Sequence, residues 1–355
     1  MMSIRSPARA HHHWLLFALL ASGAAAGAAA ADDARDWLTR MNEALTTRNY
    51  DGVFLHVHGG RVETMRIIHR AQGGKVMERL VSLDGSGREF VRTGTELACY
   101  LPDKRTVLVE RRPEETTLLG NLPRFDADSE AFYTLEHVER VRLMGRHTRV
   151  IAVQPKDEFR YGYRLWIDEA THMPLKTQLC DTRGRVIEQI QFANLTLPRE
   201  IADTEFEPQV DTTGFRWLRQ DSRVARVGGG SALARALRPP PGFRLTLRAA
   251  QTMPGSEGTV EHFVYSDGLA SVSVFVETAS EAKSALAGAA RVGSSSAFST
   301  TVDGHQVTAV GEVPPETVRF IANSVKAEGI PPANGKLPRG EAPASGLSLG
   351  SPPRR

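Results

Sequence analysis

His56 and His58 stand two apart, so on a strand they share a face, and two imidazoles on one face are the start of a metal site. No third ligand is visible near them. A solvated strand face accounts for the pair, and no metal is expected. The acidic pairs Glu114-Glu115 and Asp168-Glu169 fall in turns, where solvation explains them. Cys99 and Cys180 are the only cysteines; they read either as a disulfide between strands or as two small buried apolar groups, and their count excludes a zinc ribbon or redox pair. The chain has no Gly-x-Ser-x-Gly elbow, His-Glu-x-x-His helix, phosphate loop or dinucleotide fingerprint. Neither catalysis nor a cofactor is expected.

Binding is the chemistry that remains, and two stretches carry it. Between Phe215 and Arg248 lie Arg216, Arg219, Arg223, Arg226, Arg235, Arg238, Arg244 and Arg248, with Asp221 the only acid. Guanidinium forks suit the phosphates of a glycolipid or the acidic side chains of a protein, which makes Arg216, Arg219, Arg223 and Arg226 candidate partner-binding residues. Gly228 to Gly230 and Pro239 to Pro241 favour the alternative, a solvated basic linker. The second stretch, Pro113 to Leu135, holds Leu118, Leu119, Leu122, Phe125, Phe132 and Tyr133, too many apolar groups for a solvated loop. They either plug the open end of a sheet or form a movable cover over an apolar cavity.

Period-two alternation supplies the sheet. Tyr161, Tyr163, Leu165 and Ile167 fall on one side of a strand, with Gly162, Arg164, Trp166 and Asp168 on the other. Leu175 to Cys180 and Val186 to Phe192 follow, joined by a tight turn at Asp181 and Gly184. Upstream, Val53 to Val57, Glu63 to His69, Val76 to Leu83, Arg88 to Arg92, Leu97 to Leu101 and Thr106 to Glu110 are separated by Gly- and Asp-rich turns. With His137 to Leu143 and Thr148 to Val153, they predict an antiparallel meander large enough to curl around one helix. That helix is expected from Asp32, with Trp37, Leu38, Met41 and Leu45 at helical spacing. Beyond the linker, hairpins at Ser266-Asp267-Gly268 and Asp303-Gly304 and a helix after Pro314-Pro315, striped by Val318, Ile321, Ala322 and Val325, predict a smaller α+β unit.

Residues 1–31 read as a secretory signal: Arg5 and Arg9 precede the apolar Trp14 to Leu20, and Ala29-Ala30-Ala31 forms a small-residue cleavage site. Of the chain's 44 Lys and Arg against 41 Asp and Glu, the signal removes only those two arginines. The near balance argues against nucleic-acid binding.

Several of these pieces also carry a resemblance. Tyr163 to Asp168, Met173 to Lys176 and the Asp181, Gly184, Glu188 spacing resemble the lipoprotein-carrier (LolA-like) module. Joined to Val62 to His69, Asp84 to Gly94, Tyr265 to Leu269 and Val310 to Thr317, they are similar in order to the MucB/RseB family, over most of Asp32 to Ala327. With the signal, linker and tail read from composition, the resemblance implies an α+β chain: signal, 1–31; LolA-like half-barrel, 32–214; linker, 215–242, longer over Asp221 to Ala236 than the family's connection; small α+β partner-binding domain, 243–328; disordered tail, 329–355. It implies a periplasmic regulator of an envelope-stress sigma factor of the AlgU/sigma-E type. Such a protein binds the periplasmic domain of an anti-sigma factor, protects it from proteolysis, and is released by lipid or lipopolysaccharide acyl chains. Trp37, Met41, Phe54, Met65, Ile67, Leu80, Phe90, Leu118, Leu122, Phe125, Tyr163, Leu165 and Trp166 are the candidate lipid-binding residues. The alternative is a lipid or lipoprotein carrier using the same cavity, and homo-oligomerisation stays open.

Overall fold

Ala34, Leu38, Met41, Ala44 and Leu45 recur at steps of three and four, and all five are buried along one side of helix α1, Ala21–Thr47. The fold is described from a computed structural model, for residues 21–85, 87–111, 117–119, 129–220, 237–252, 259–279, 288–302 and 304–324. The expected tail at 329–355, Leu122, Phe125, Glu114, Glu115, Arg223, Arg226 and Val325 lie outside these residues. The helix begins before the expected Asp32, running back through an alanine-rich segment, because alanine is the strongest helix former. Among the described residues, no helix is long and apolar enough to cross a membrane.

The strands that follow are β1 (Tyr50–His58), β2 (Arg61–Gln72), β3 (Lys75–Ser82), β4 (Glu89–Thr93), β5 (Glu96–Leu101), β6 (Thr106–Arg111), β7 (Tyr133–Leu143), β8 (Arg146–Pro155), β9 (Gly162–Asp168), β10 (Pro174–Cys180), β11 (Val186–Thr196) and β12 (Arg216–Gln220). They form one sheet in the order β12-β6-β5-β4-β3-β2-β1-β11-β10-β9-β8-β7. Two sequential meanders, β1 to β6 and β7 to β11, are thus joined along the antiparallel β1–β11 pair, where Phe54 faces Phe192. That seam needs Gly52: a Cβ there would lie 2.6 Å from the Phe192 ring and 2.8 Å from the Asn194 carbonyl oxygen. The sheet stays open, with β12 and β7 at its edges. Its inner face holds α1 in a core that includes Leu38, Met41, Ile67, Ile151, Leu165, Ile167 and Leu175.

The linker expected from residue 215 therefore begins with a strand. Arg216–Gln220 returns to pair in parallel with β6, starting from the Arg216 N–H donated to the Arg105 carbonyl at 2.9 Å. The arginine-rich composition hid it, and a parallel partner needs a long connection, here five intervening strands, that no local pattern signals. Cys99 on β5 and Cys180 on β10 are free thiols, so the disulfide alternative falls.

The second domain is a six-stranded antiparallel sheet, β13-β14-β15-β18-β17-β16, formed by β13 (Arg244–Thr252), β14 (Thr259–Ser266), β15 (Ser271–Thr278), β16 (Gly288–Val292), β17 (Ser295–Val302) and β18 (His305–Gly311). Helix α2, Pro315–Ser324, lays Val318, Ile321 and Ala322 on Val272, Val274, Val307 and Ala309, as their spacing predicts.

The two domains meet around Arg160, whose side chain is fully buried. Its guanidinium donates to Asp267 of the second domain at 2.6 Å, to the Pro241 carbonyl at 2.5 Å and to Asp157. The rings of Phe132 and Phe243 stand 4.5 and 4.7 Å from it. The Tyr133 hydroxyl donates to the same Asp267 oxygen at 3.0 Å. Beside it, Phe159 packs into the second domain's core, and its carbonyl accepts the Thr317 hydroxyl at 2.8 Å.

Removing one member of a buried ion pair strands the other charge and costs about 3–5 kcal/mol; with Asp157 still on Arg160, Asp267→Ala is expected at about 3 kcal/mol. Urea unfolding followed separately at the two domains should change from one shared transition to two. A single unshifted transition would show that Asp267 does not join them.

Candidate functional site

Alternation along the strands sends every second side chain to the inner face, and α1 does not cover all of it. What remains is a cavity of about 440 Å³, of ligand-binding size. Its apolar part is walled by Phe54 of β1, Met65 of β2, Leu80 of β3, Phe90 of β4, Tyr163 of β9, Leu179 of β10 and Ile190 of β11, and Leu118 and Leu119 complete it. Its polar part is formed by His56, His58, Glu63, Arg88, Glu188 and, from the second domain, Glu312.

Leu118 and Leu119, from the stretch expected to plug or cover the sheet, are held there by a buried ion pair. The Leu118 N–H donates to both oxygens of Glu78 at 3.1 Å, and Arg92 pairs with Glu78 at 3.2 Å. Burial raises the Glu78 pKa, while the Leu118 and Arg92 bonds pull it back. His69 lies 4.0 Å from Glu78, stacks on Tyr50 with ring centroids 4.6 Å apart, and places Nδ1 2.9 Å from the Arg48 carbonyl oxygen. Burial pushes its pKa down to about 4.

At the polar part, His56 Nε2 is 2.8 Å from Glu188, and Ser294 of the second domain donates to Glu312 at 2.5 Å. Burial pushes Glu188 up, but hydrogen bonds from His56 and Ser294 and the charge of the histidines hold it below the usual carboxylate range. Glu312 moves the other way, raised by burial and by the neighbouring Glu188, though the Ser294 bond opposes the rise.

Of the residues singled out in the sequence, Phe54, Met65, Leu80, Phe90, Leu118 and Tyr163 come together on the cavity. Met41, Ile67 and Leu165 are wholly buried in the helix–sheet core instead. Trp37 packs beside that core, under the Arg149 guanidinium at 4.8 Å. Trp166 points to the opposite face, beneath Lys176 at 4.3 Å, because it alternates with Leu165. Arg216 and Arg219 are exposed on the edge strand β12, with Arg219 3.9 Å from Glu96. Sequence reasoning missed Leu179 and Ile190, which alternation in their strands could have supplied, and Glu312, which only the docking of the domains brings to the cavity.

Known proteins share this arrangement. The MucB/RseB N-terminal domain family matches residues 33–210, and the MucB/RseB C-terminal domain family matches residues 235–326. The chain is similar to the sigma factor AlgU regulatory protein MucB of Pseudomonas aeruginosa, at 33% identity over 304 residues that span 83% of this chain and 92% of the relative. It is similar to the sigma-E factor regulatory protein RseB of Salmonella typhimurium, at 28% identity over 82% of this chain and 90% of that one. It also superposes, with a TM-score of 0.61 and 31% identity, on a chain of the Pseudomonas aeruginosa MucA/MucB complex, covering 82% of this chain and 97% of that chain.

Leu80→Asp puts a carboxylate into the apolar wall at a half-buried site that can still hydrate it, so the chain should fold as before and lose binding of a fluorescent fatty-acyl probe. Undiminished probe binding would place the acyl site elsewhere.

A second test uses His69. Between pH 6.5 and about 4 it is protonated in the unfolded chain and neutral in the folded one, so its contribution to stability is complete above pH 6.5 and is lost as the pH falls. At about 1.4 kcal/mol per unit, that loss is on the order of 3 kcal/mol. Glu78, whose pKa is raised, changes stability in the opposite sense as it ionises, so the comparison is with His69→Phe, which keeps Glu78. Going from pH 7 to pH 4, the unmodified chain should lose more stability than the variant by about this amount; equal losses would mean that His69 is not held neutral.

Proposed function

Because the chain belongs to the MucB/RseB family, we propose that it is a non-enzymatic periplasmic regulator that binds the periplasmic domain of a membrane-spanning anti-sigma factor. In this reading it shields that domain from the first regulatory protease, and an acyl chain of a mislocalised lipid or lipopolysaccharide in the cavity favours release. The observation that carries the proposal is the composition of the cavity. Its apolar wall belongs to the first domain, while Glu312 at its polar part belongs to the second, so an occupant touches both.

The similar chain of the MucA/MucB complex supports the choice of partner. A carrier would need only the first domain's cavity, whereas here the second domain is docked through Arg160 and Phe159 and contributes to the cavity itself. Arg216 and Arg219 on the exposed edge of β12 are the described members of the arginine run offered to an acidic partner segment. A lipid can drive release only by binding the partner-free state more tightly than the partner-bound state.

The expected outcome is that the full chain protects an anti-sigma periplasmic domain from its site-one protease, and that lipopolysaccharide fragments diminish the protection. Leu80→Asp should protect equally well but ignore the fragments. Replacing Arg216 and Arg219 with Gln should weaken partner binding and flatten its salt dependence. Protection by Leu80→Asp that lipopolysaccharide still abolishes would separate the cavity from the signal.

A further inference from the structure

The pair of histidines that lacks a third ligand in the sequence acquires one through strand pairing. In the antiparallel register, His56 of β1 faces Glu63 of β2, and on the other side His58 faces Glu188 of β11. The central strand thus carries two imidazoles on one face with a carboxylate on each flank. The His56 and His58 rings stack with centroids 4.5 Å apart. His56, His58 and Glu63 each offer one ligand atom, and all three lie within 4.8 Å of one another. Glu188 stands outside that group but lies 2.8 Å from His56 Nε2, so it joins as a fourth by rotating off that hydrogen bond. All four side chains keep between 21% and 27% of their surface, enough for an ion to enter and for water to be largely excluded.

We propose that His56, His58, Glu63 and Glu188 form a binding site for a borderline-soft divalent cation, zinc being the best fit, where the cavity meets the second domain. Two imidazoles with carboxylate oxygens suit zinc and disfavour magnesium and calcium, which want oxygen alone. Ligands at about 2.0–2.2 Å around a tetrahedral ion lie about 3.3–3.6 Å apart, so small side-chain rotations close the present spacing.

The charge balance agrees. Among the cavity-lining residues Glu63, Glu188 and Glu312 face a single arginine, Arg88, which already pairs with Glu63 at 3.1 Å. The bland alternative is two ion pairs, His56 with Glu188 and His58 with Glu63, that need no metal.

The test is titration of the untagged, chelator-treated chain without residues 1–31, which removes His11 to His13, with zinc chloride by calorimetry, together with visible spectra of the cobalt(II) form. One ion per chain and four-coordinate cobalt absorption are expected. His58→Gln, which keeps the strand packing, and Glu63→Gln should each weaken binding at least tenfold, while magnesium should not compete. Thermal unfolding of the metal-free variants separates loss of the site from loss of fold. Absence of binding at 100-fold excess zinc, or affinity untouched in a folded His56→Gln/His58→Gln variant, would overturn the site and leave the two ion pairs.

Discussion

The relative placement of the two domains hangs on one buried guanidinium. Arg160 leaves water entirely, and a charge can do that only where carboxylates and hydrogen-bond acceptors are already arranged around it. Asp157 alone, from the same loop, would leave it half satisfied; Asp267 and the Pro241 carbonyl complete the set from the other side of the junction. The aromatic faces of Phe132 and Phe243 fill the remaining solid angle. Gly242 is part of the same arrangement, since its φ of +88° and its contact with Phe132 and Arg160 leave no room for a side chain. Such a site is strict in geometry, so it fixes orientation as well as contact.

That orientation decides what the cavity is. A twelve-stranded open sheet presents more inner surface than one helix can cover, and uncovered apolar surface must find another partner. Part is met by Leu118 and Leu119, tethered through a backbone N–H to the Arg92–Glu78 pair. Part is left as a recess whose polar end is finished by Glu312 and Ser294.

In the proposed regulator, communication between lipid and protein partner needs no mechanical pathway. It requires two states of the domain junction and a ligand that prefers one of them. The polar cluster of His56, His58, Glu63, Glu188 and Glu312 lies where such a preference would be felt, because its members line one cavity and come from both domains.

Strand alternation, turn residues and helical spacing sufficed for most of the elements from α1 to β11, for the central hairpins of the second domain and for six of the described cavity residues, since those signals are local. They also showed that Leu118 and Leu119 must cover something. The β1–β11 seam, the parallel return of β12 and the choice of which face holds the helix arise from contacts between residues far apart in the chain. Trp166 shows the difference: alternation placed it opposite Leu165, but only the packing of α1 determined which of the two faces inward. The histidines show it again, because the sequence sets His56 and His58 on one face, while the register of two neighbouring strands brings Glu63 and Glu188 to them. Periodicity is a property of a segment, whereas register and docking are fixed by the total free energy of burying surfaces that the segment does not contain.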